Sequence, residues 1–201
     1  MPTAIGIIVQ GLFYGVSTIW PCLAISICAM FIGLQNEIVY TDSLTGLYNR
    51  LYLDTVKQDI MNKKNSDIYA MMLDLNAFKS INDTYGHSEG DFALIKVAEI
   101  LRKSVGNLGS VIRFAGDEFV ILLNTRKEEV AQGCIHAIRE NTDEYNKKSG
   151  KEYKLSLSIG YRVLDMKKQT IDTLLHDIDE DMYMDKQKFY SENPEYKRRN
   201  G

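Results

Sequence analysis

The hydrophobic pattern of the chain changes character near residue 37. From Ala4 to Leu34 it is apolar, broken by Gln10 and the pair Ser17-Thr18, and no Asp, Glu, Lys or Arg occurs before Glu37. Trp20-Pro21 opens a cleaner run, Cys22-Leu-Ala-Ile-Ser-Ile-Cys-Ala-Met-Phe-Ile-Gly-Leu34. Proline suits the first turn of a helix, where its missing N–H has no partner to lose. A helix from Pro21 to Val39 is about 28 Å long, close to the hydrocarbon thickness of a bilayer. With Trp20 at one interface, the pattern predicts a membrane helix. The alternatives are a buried core helix, which normally shows a polar face, and a signal peptide, which wants a basic leading region; the sequence has neither. Ile5 to Val16 is short for a second span.

Beyond Glu37 charge is dense and the periods are shorter. Leu51, Val56 and Ile60 space a helix over Leu51–Lys64. The apolar run Ile68–Leu75 predicts a buried strand. Asn82–Gly90 reads as a loop, and Asp91–Lys103 as an amphipathic helix. Ser110–Phe114 and Phe119–Leu123 flank Ala-Gly-Asp-Glu and predict a hairpin. A helix over Glu128–Tyr145, an alternating strand over Tyr153–Ile159 and a last helix over Ile171–Tyr190 complete the series. Strands alternating with helices around a hairpin predict an α/β (α+β) fold: a mixed central sheet with an antiparallel centre and flanking helices. The expected division is 1–40 for the apolar segment and connecting helix, and 41–201 for the folded domain.

Composition changes this picture little. The chain has 201 residues, 45% hydrophobic and 25% charged, which is ordinary globular usage. The net charge of −3 lacks the basic excess of a nucleic-acid binder, so no nucleic-acid partner is expected. Cys22, Cys28 and Cys134 have no framework or zinc spacing.

The candidate chemistry lies at the ends of the predicted strands. Asp74 closes an apolar strand, and Asp117 and Glu118 sit at the hairpin tip. A carboxylate at the edge of a buried strand is costly unless paired, protonated or metal-bound. Three such acids converging suggest a Mg²⁺ site, because hard cations take oxygen ligands. Lys79 and Lys186 could meet phosphate, and acids with lysines around Mg²⁺ suit phosphoryl or nucleotidyl transfer. Spacing alone does not decide between this and a plain turn, since turns favour acids. Asn82 likewise reads as a turn former, Phe78 as core, and His87 equally as a loop hydrogen-bonder or a ligand.

Six stretches in order carry a resemblance: Asp42-Ser-Leu-Thr-Gly-Leu-Tyr-Asn-Arg50, Leu73-Asp-Leu-Asn-Ala-Phe-Lys-Ser-Ile-Asn-Asp83, Tyr85-Gly-His-Ser-Glu-Gly-Asp91, Arg113-Phe-Ala-Gly-Asp-Glu-Phe119, Ser158-Ile-Gly160 and Met182-Tyr-Met-Asp-Lys186. From Asp42 to Lys186 the chain resembles the GGDEF family of diguanylate cyclases. The resemblance implies a fold like the palm of nucleotidyl cyclases and condensation of two GTP into cyclic di-GMP and two pyrophosphates. It implies Mg²⁺ (or Mn²⁺) held by Asp74, Asp117 and the Leu75 carbonyl, with Glu118 and Asp117 catalytic. Asn82 and Asp91 would bind guanine, whose N1–H and N2–H₂ suit a carboxylate. Phe78, Lys79 and Lys186 would lie against the phosphates. A homodimer is implied, because each domain binds one GTP, and a silent GTP-binding regulatory module is the alternative. With the apolar segment, the expected location is the cytoplasmic (inner) membrane, with the catalytic domain in the cytoplasm.

The chain departs from the family pattern at Ala115, where the first signature glycine is expected, and at Tyr190, where an arginine is usual. Asn76 stands where an aspartate is common. Gly106 and Gly109 replace the Arg and Asp of the family's product-inhibition motif, which predicts no strong inhibition through that surface.

Overall fold

In the computed structural model, which describes residues 4, 19–62, 68–165 and 170–199, the chain divides into two compact units, Met1–Thr41 and Asp42–Gly201. The first contains helix α1 (Ile19–Val39), which takes in the expected Pro21–Val39. Ile5 to Val16 lies outside the described residues. The membrane-span expectation needs correction: among the described residues no helix is long and apolar enough to cross a membrane. Gln35-Asn36-Glu37 ends the apolar part of α1 at Leu34. The stretch from Ile19 to Leu34 covers only about 24 Å, against a core of about 30 Å.

The second unit runs α2 (Arg50–Asn62), β1 (Tyr69–Leu75), α3 (Phe78–Tyr85), α4 (His87–Val105), β2 (Gly109–Ala115), β3 (Glu118–Leu123), α5 (Glu128–Lys148), β4 (Leu157–Val163) and α6 (Ile171–Glu192). The strands form one sheet in the order β2-β3-β1-β4, and every neighbouring pair is antiparallel. The expected mixed sheet is therefore corrected. The α3–α4 crossover does link strands that run the same way, β1 and β2, but β3 lies between them. In the same way α5 links β3 to β4 with β1 between. These are two interleaved split β-α-β units, so the parallel relations exist without parallel pairing. One isolated parallel bridge joins Tyr48 to Ile112.

Strand β1 is buried along its whole length, which explains its continuous apolar run. Its side chains still alternate between two cores. Met71 and Leu73 join Val97, Leu101, Cys134 and Ile138 of α4 and α5. Ala70 and Met72 join Leu53, Ile60, Leu174 and Ile178 of α2 and α6. On β3, Phe119 and Ile121 face the first core, and Val120 and Leu122 the second.

Two local readings fail for identifiable reasons. The segment read as a loop, Asn82–Gly90, is almost all helix: α3 and α4 are separated only by Gly86, whose φ of 87° turns the chain without ending the helical run. The last strand starts at Leu157, later than the expected Tyr153. Before it, Asn146 of α5 takes the place of a strand neighbour, accepting from Leu155 N–H and donating to Leu155 O, both at 2.8 Å.

Gly160 sets how closely α6 approaches the sheet. A Cβ there would stand 2.1 Å from Ile178 O and 2.6 Å from Met182 N. Gly160→Ala is therefore expected to destabilise the full chain by about 1–3 kcal/mol, the usual cost of overpacking. Urea unfolding checks this, and an unchanged midpoint would show that α6 shifts freely.

Candidate active site

Antiparallel pairing places Asp74 of β1 directly opposite Glu118 of β3. By the alternation described above, both carboxylates fall on the face covered by α6, with Met72 and Val120. Asp117 occupies the hairpin turn, and its carbonyl accepts from Leu75 N–H at 3.1 Å. The turn's left-handed residue is Gly116, at φ 46°, while Ala115 ends β2 without a positive φ. An alanine at that position therefore carries no backbone strain. Arg113 braces the turn: its Nε donates to Gly116 O at 2.9 Å and its Nη1 to Asp42 Oδ1 at 3.0 Å.

Lys186 of α6 reaches Asp74, its Nζ 2.7 Å from Oδ2. Asp74 is only 3% exposed, and its Oδ1 is buried without a partner. Burial pushes the Asp74 carboxyl up; Lys186 pulls against this, and Asp117 and Asp179 add to it. Glu118 is also held above its ordinary range, by burial first and then by Asp74, Asp117 and Asp179. For Lys186, burial works downward, but the hydrogen bond and charge of Asp74 prevail and raise it. The cluster thus carries more negative charge than Lys186 neutralises.

A hard divalent cation fits that surplus and the orphaned Oδ1 of Asp74. Among the described residues, no group of three His, Cys, Asp or Glu side chains is set to hold a metal by itself. The expected convergence of three acids is corrected accordingly: the strands bring Asp74 and Glu118 together, while Asp117 comes from the turn. A cation here would complete its oxygen shell from backbone, phosphate and water, as Mg²⁺ commonly does.

The second group of expected residues gathers where α3 meets α4. Gly90 packs so tightly that a Cβ would lie 1.9 Å from Asn82 Oδ1 and 3.2 Å from the Phe78 ring. Asn82 is half-buried there, and Asp91, the next residue after Gly90, is exposed. Lys79 is exposed on the first turn of α3. That helix has no side-chain cap: its N-cap is Ala77, in the left-handed region at φ 58°. The Ala77 N–H donates to Tyr190 Oη of α6 at 3.3 Å.

Several contributors were not singled out from the sequence. Asp179 precedes Lys186 by seven residues, two helical turns, so its shared face was readable from spacing. Asn76 stitches β1 to the start of β4, donating to Ser156 Oγ at 3.2 Å and accepting from Ser158 Oγ at 2.8 Å. No local signal announces those partners.

The family model described as "Diguanylate cyclase, GGDEF domain" matches residues 39–191. The chain belongs to the GGDEF family. It is 28% identical over 158 residues to "Diguanylate cyclase A" of Treponema denticola, covering 75% of this chain and 43% of that protein. It is 35% identical over 136 residues to "Diguanylate cyclase DosC" of Escherichia coli, covering 65% of this chain and 30% of that protein. The chain thus spans less than half the length of these curated relatives. Among solved structures, the GGDEF domain of PA1120 from Pseudomonas aeruginosa superposes with a TM-score of 0.64 at 29% identity, over 74% of this chain and 89% of that one. The coiled coil and GGDEF domain of DgcB from Caulobacter crescentus, solved with c-di-GMP, superposes with a TM-score of 0.71 over 82% of this chain and 90% of that one; at 20% identity this shows the fold alone.

The crowded GGDEF acids have a consequence for stability. A carboxyl raised in the folded state favours the fold below its unfolded value and weakens it as pH rises through the folded value. Glu118→Gln is expected to raise the melting temperature of the metal-free full chain at pH 7, by about 2–4 °C per kcal/mol of repulsion relieved. The difference should shrink toward pH 4, where Glu118 is protonated in either state. Melting curves across that pH range check the sign, and a lower melting temperature for the variant at pH 7 would contradict it.

Proposed function

We propose that this chain is a diguanylate cyclase, condensing two GTP into cyclic di-GMP and two pyrophosphates. One observation carries the reading: a buried Asp74 carboxylate with an unpartnered oxygen, held opposite Glu118 beside the hairpin turn that presents Asp117. In this reading Asn82 and Asp91 bind the guanine edge at the α3–α4 corner. The first-turn N–H groups of α3, at Phe78 and Lys79, cradle the phosphates, and Lys186 meets them from α6. Asp74, Asp117 and the Leu75 carbonyl would hold Mg²⁺ (or Mn²⁺). When bound, the cation supplies charge stabilisation on the phosphate oxygens.

The chemistry is a double displacement between two domains. The 3′-hydroxyl oxygen of one GTP bonds to the α-phosphorus of the other. The bond from that phosphorus to the bridging oxygen of the β-phosphate breaks, and pyrophosphate leaves. The hydroxyl proton passes to Glu118, whose raised proton affinity suits a general base. A second, symmetric step closes the ring. Each domain supplies one GTP, so the catalytic unit is a homodimer. The domain would work in the cytoplasm, where GTP is available. Attachment to the cytoplasmic membrane rests on the charge-free first 36 residues alone, and extraction of membranes with carbonate tests that part.

The deciding experiment incubates the purified full chain with Mg²⁺ and GTP, or with ATP in its place, and separates the products. Cyclic di-GMP should form from GTP, with no corresponding product from ATP. Asp117→Ala should lower the rate by more than about a hundred-fold, since each factor of ten is only about 1.4 kcal/mol of barrier. Product formation unaffected by Asp117→Ala would sink the assignment. Tight GTP binding without turnover would instead favour the regulatory-module reading.

The two-domain mechanism makes a separate prediction. Free domains must meet and bear the entropy of association, whereas paired domains are already at high effective concentration. Specific activity of the full chain should therefore fall on dilution through its dimer dissociation range. A chain shown to be monomeric by light scattering, with constant activity per molecule, would exclude the mechanism.

A further inference from the structure

Tyr190 is the second side chain that α6 sends toward the site. It stands four residues after Lys186, so the two lie on one helical face, one turn apart. Lys186 ends on Asp74 Oδ2, and Tyr190 Oη ends 3.3 Å from Ala77 N. Ala77 is the entry to α3 and, among the described residues, the one non-glycine with a positive φ. A left-handed alanine costs about 1–2 kcal/mol, so its surroundings must hold it. The phenol oxygen does part of this by accepting from Ala77 N–H.

The geometry leaves Tyr190 with an unused donor. A phenol can accept and donate at once. Its oxygen accepts from Ala77, and among the described residues the O–H proton has no acceptor. The half-buried hydroxyl stands at the uncapped start of α3, beside the N–H groups of Phe78 and Lys79 and one turn beyond the lysine on Asp74. Every fixed group around it favours an anion. We propose that Tyr190 is a substrate-positioning residue that fixes the Ala77 turn with its oxygen and donates its proton to the terminal phosphate of the bound nucleoside triphosphate.

This rests on the nucleotide site proposed above and adds a phosphate contact that the sequence did not suggest. It makes selectivity for the triphosphate depend on one hydroxyl. A neutral donor holds the terminal phosphate without adding a second fixed cation beside Lys186.

The test measures equilibrium binding to the full chain, with Mg²⁺, of a non-hydrolysable GTP analogue and of GMP. Tyr190→Phe keeps the ring and removes only the hydroxyl. It should weaken the triphosphate about ten-fold, the usual worth of a hydrogen bond to a charged group, and leave GMP unchanged. Tyr190→Arg, which restores donors in a phosphate-matched fork, should recover triphosphate binding. Equal weakening of both ligands in Tyr190→Phe would mean that the residue only holds the turn, and would overturn the proposal. Unchanged binding of both would overturn it as well. Wild-type chain that binds GMP but not the analogue would overturn the nucleoside-triphosphate reading and this proposal together. Loss confined to the variant leaves the function intact and assigns the contact.

Discussion

Asp74 sits on a strand buried on both faces, and its carboxylate is tolerated there only because its neighbours are fixed. The antiparallel register of β1 with β3 sets Glu118 across from it. A slip of one residue would turn Asp74 into the core shared with α4 and α5 and expose Met71 and Leu73 to the other face. The same apolar alternation that fills two cores therefore also aims two acids at one spot. Stability and site geometry are consequences of one register.

Helix α6 is the complementary half of that arrangement. Its backbone lies against Gly160, where no side chain fits between β4 and Ile178. That approach lets Lys186 meet Asp74 and Tyr190 meet Ala77. The lysine stabilises one of the acids, while Glu118 and the unpartnered oxygen of Asp74 retain uncompensated negative charge. The empty site is thus electrostatically incomplete, and a divalent cation relieves that condition.

The signature hairpin is braced from outside the acid cluster. Arg113 joins Gly116 in the turn to Asp42, which also accepts from Thr45 N–H at 2.8 Å. The first motif, Asp42 to Arg50, is thereby tied to the turn that carries Asp117. Burial pushes the Asp42 carboxyl up, but the hydrogen bonds of Thr45 and Arg113 bring it below its ordinary range. An ionised Asp42 is what Arg113 needs in order to hold the turn.

Much of this was legible in the sequence because it is local. The apolar run of β1, the hairpin around Ala-Gly-Asp-Glu and the helical spacing of α5 and α6 follow from periodicity, and six ordered motifs named the family and its acids. What periodicity does not encode is which strands become neighbours and where helices land. The alternation of strands and helices implied parallel relations, but only the packed sheet inserted β3 and β1 between the parallel members. Asn82 to Gly90 looked like a loop because its residue types favour turns, yet packing of Phe78 and Ile81 drew it into helix. Apolar length suggested a membrane helix, and the polar end of α1 left it too short. The chemical identities of Asp74, Glu118, Lys186 and Tyr190 were fixed by the sequence. Their meeting was decided by tertiary structure alone, because contacts across more than a hundred residues depend on register and close packing, which no local pattern carries.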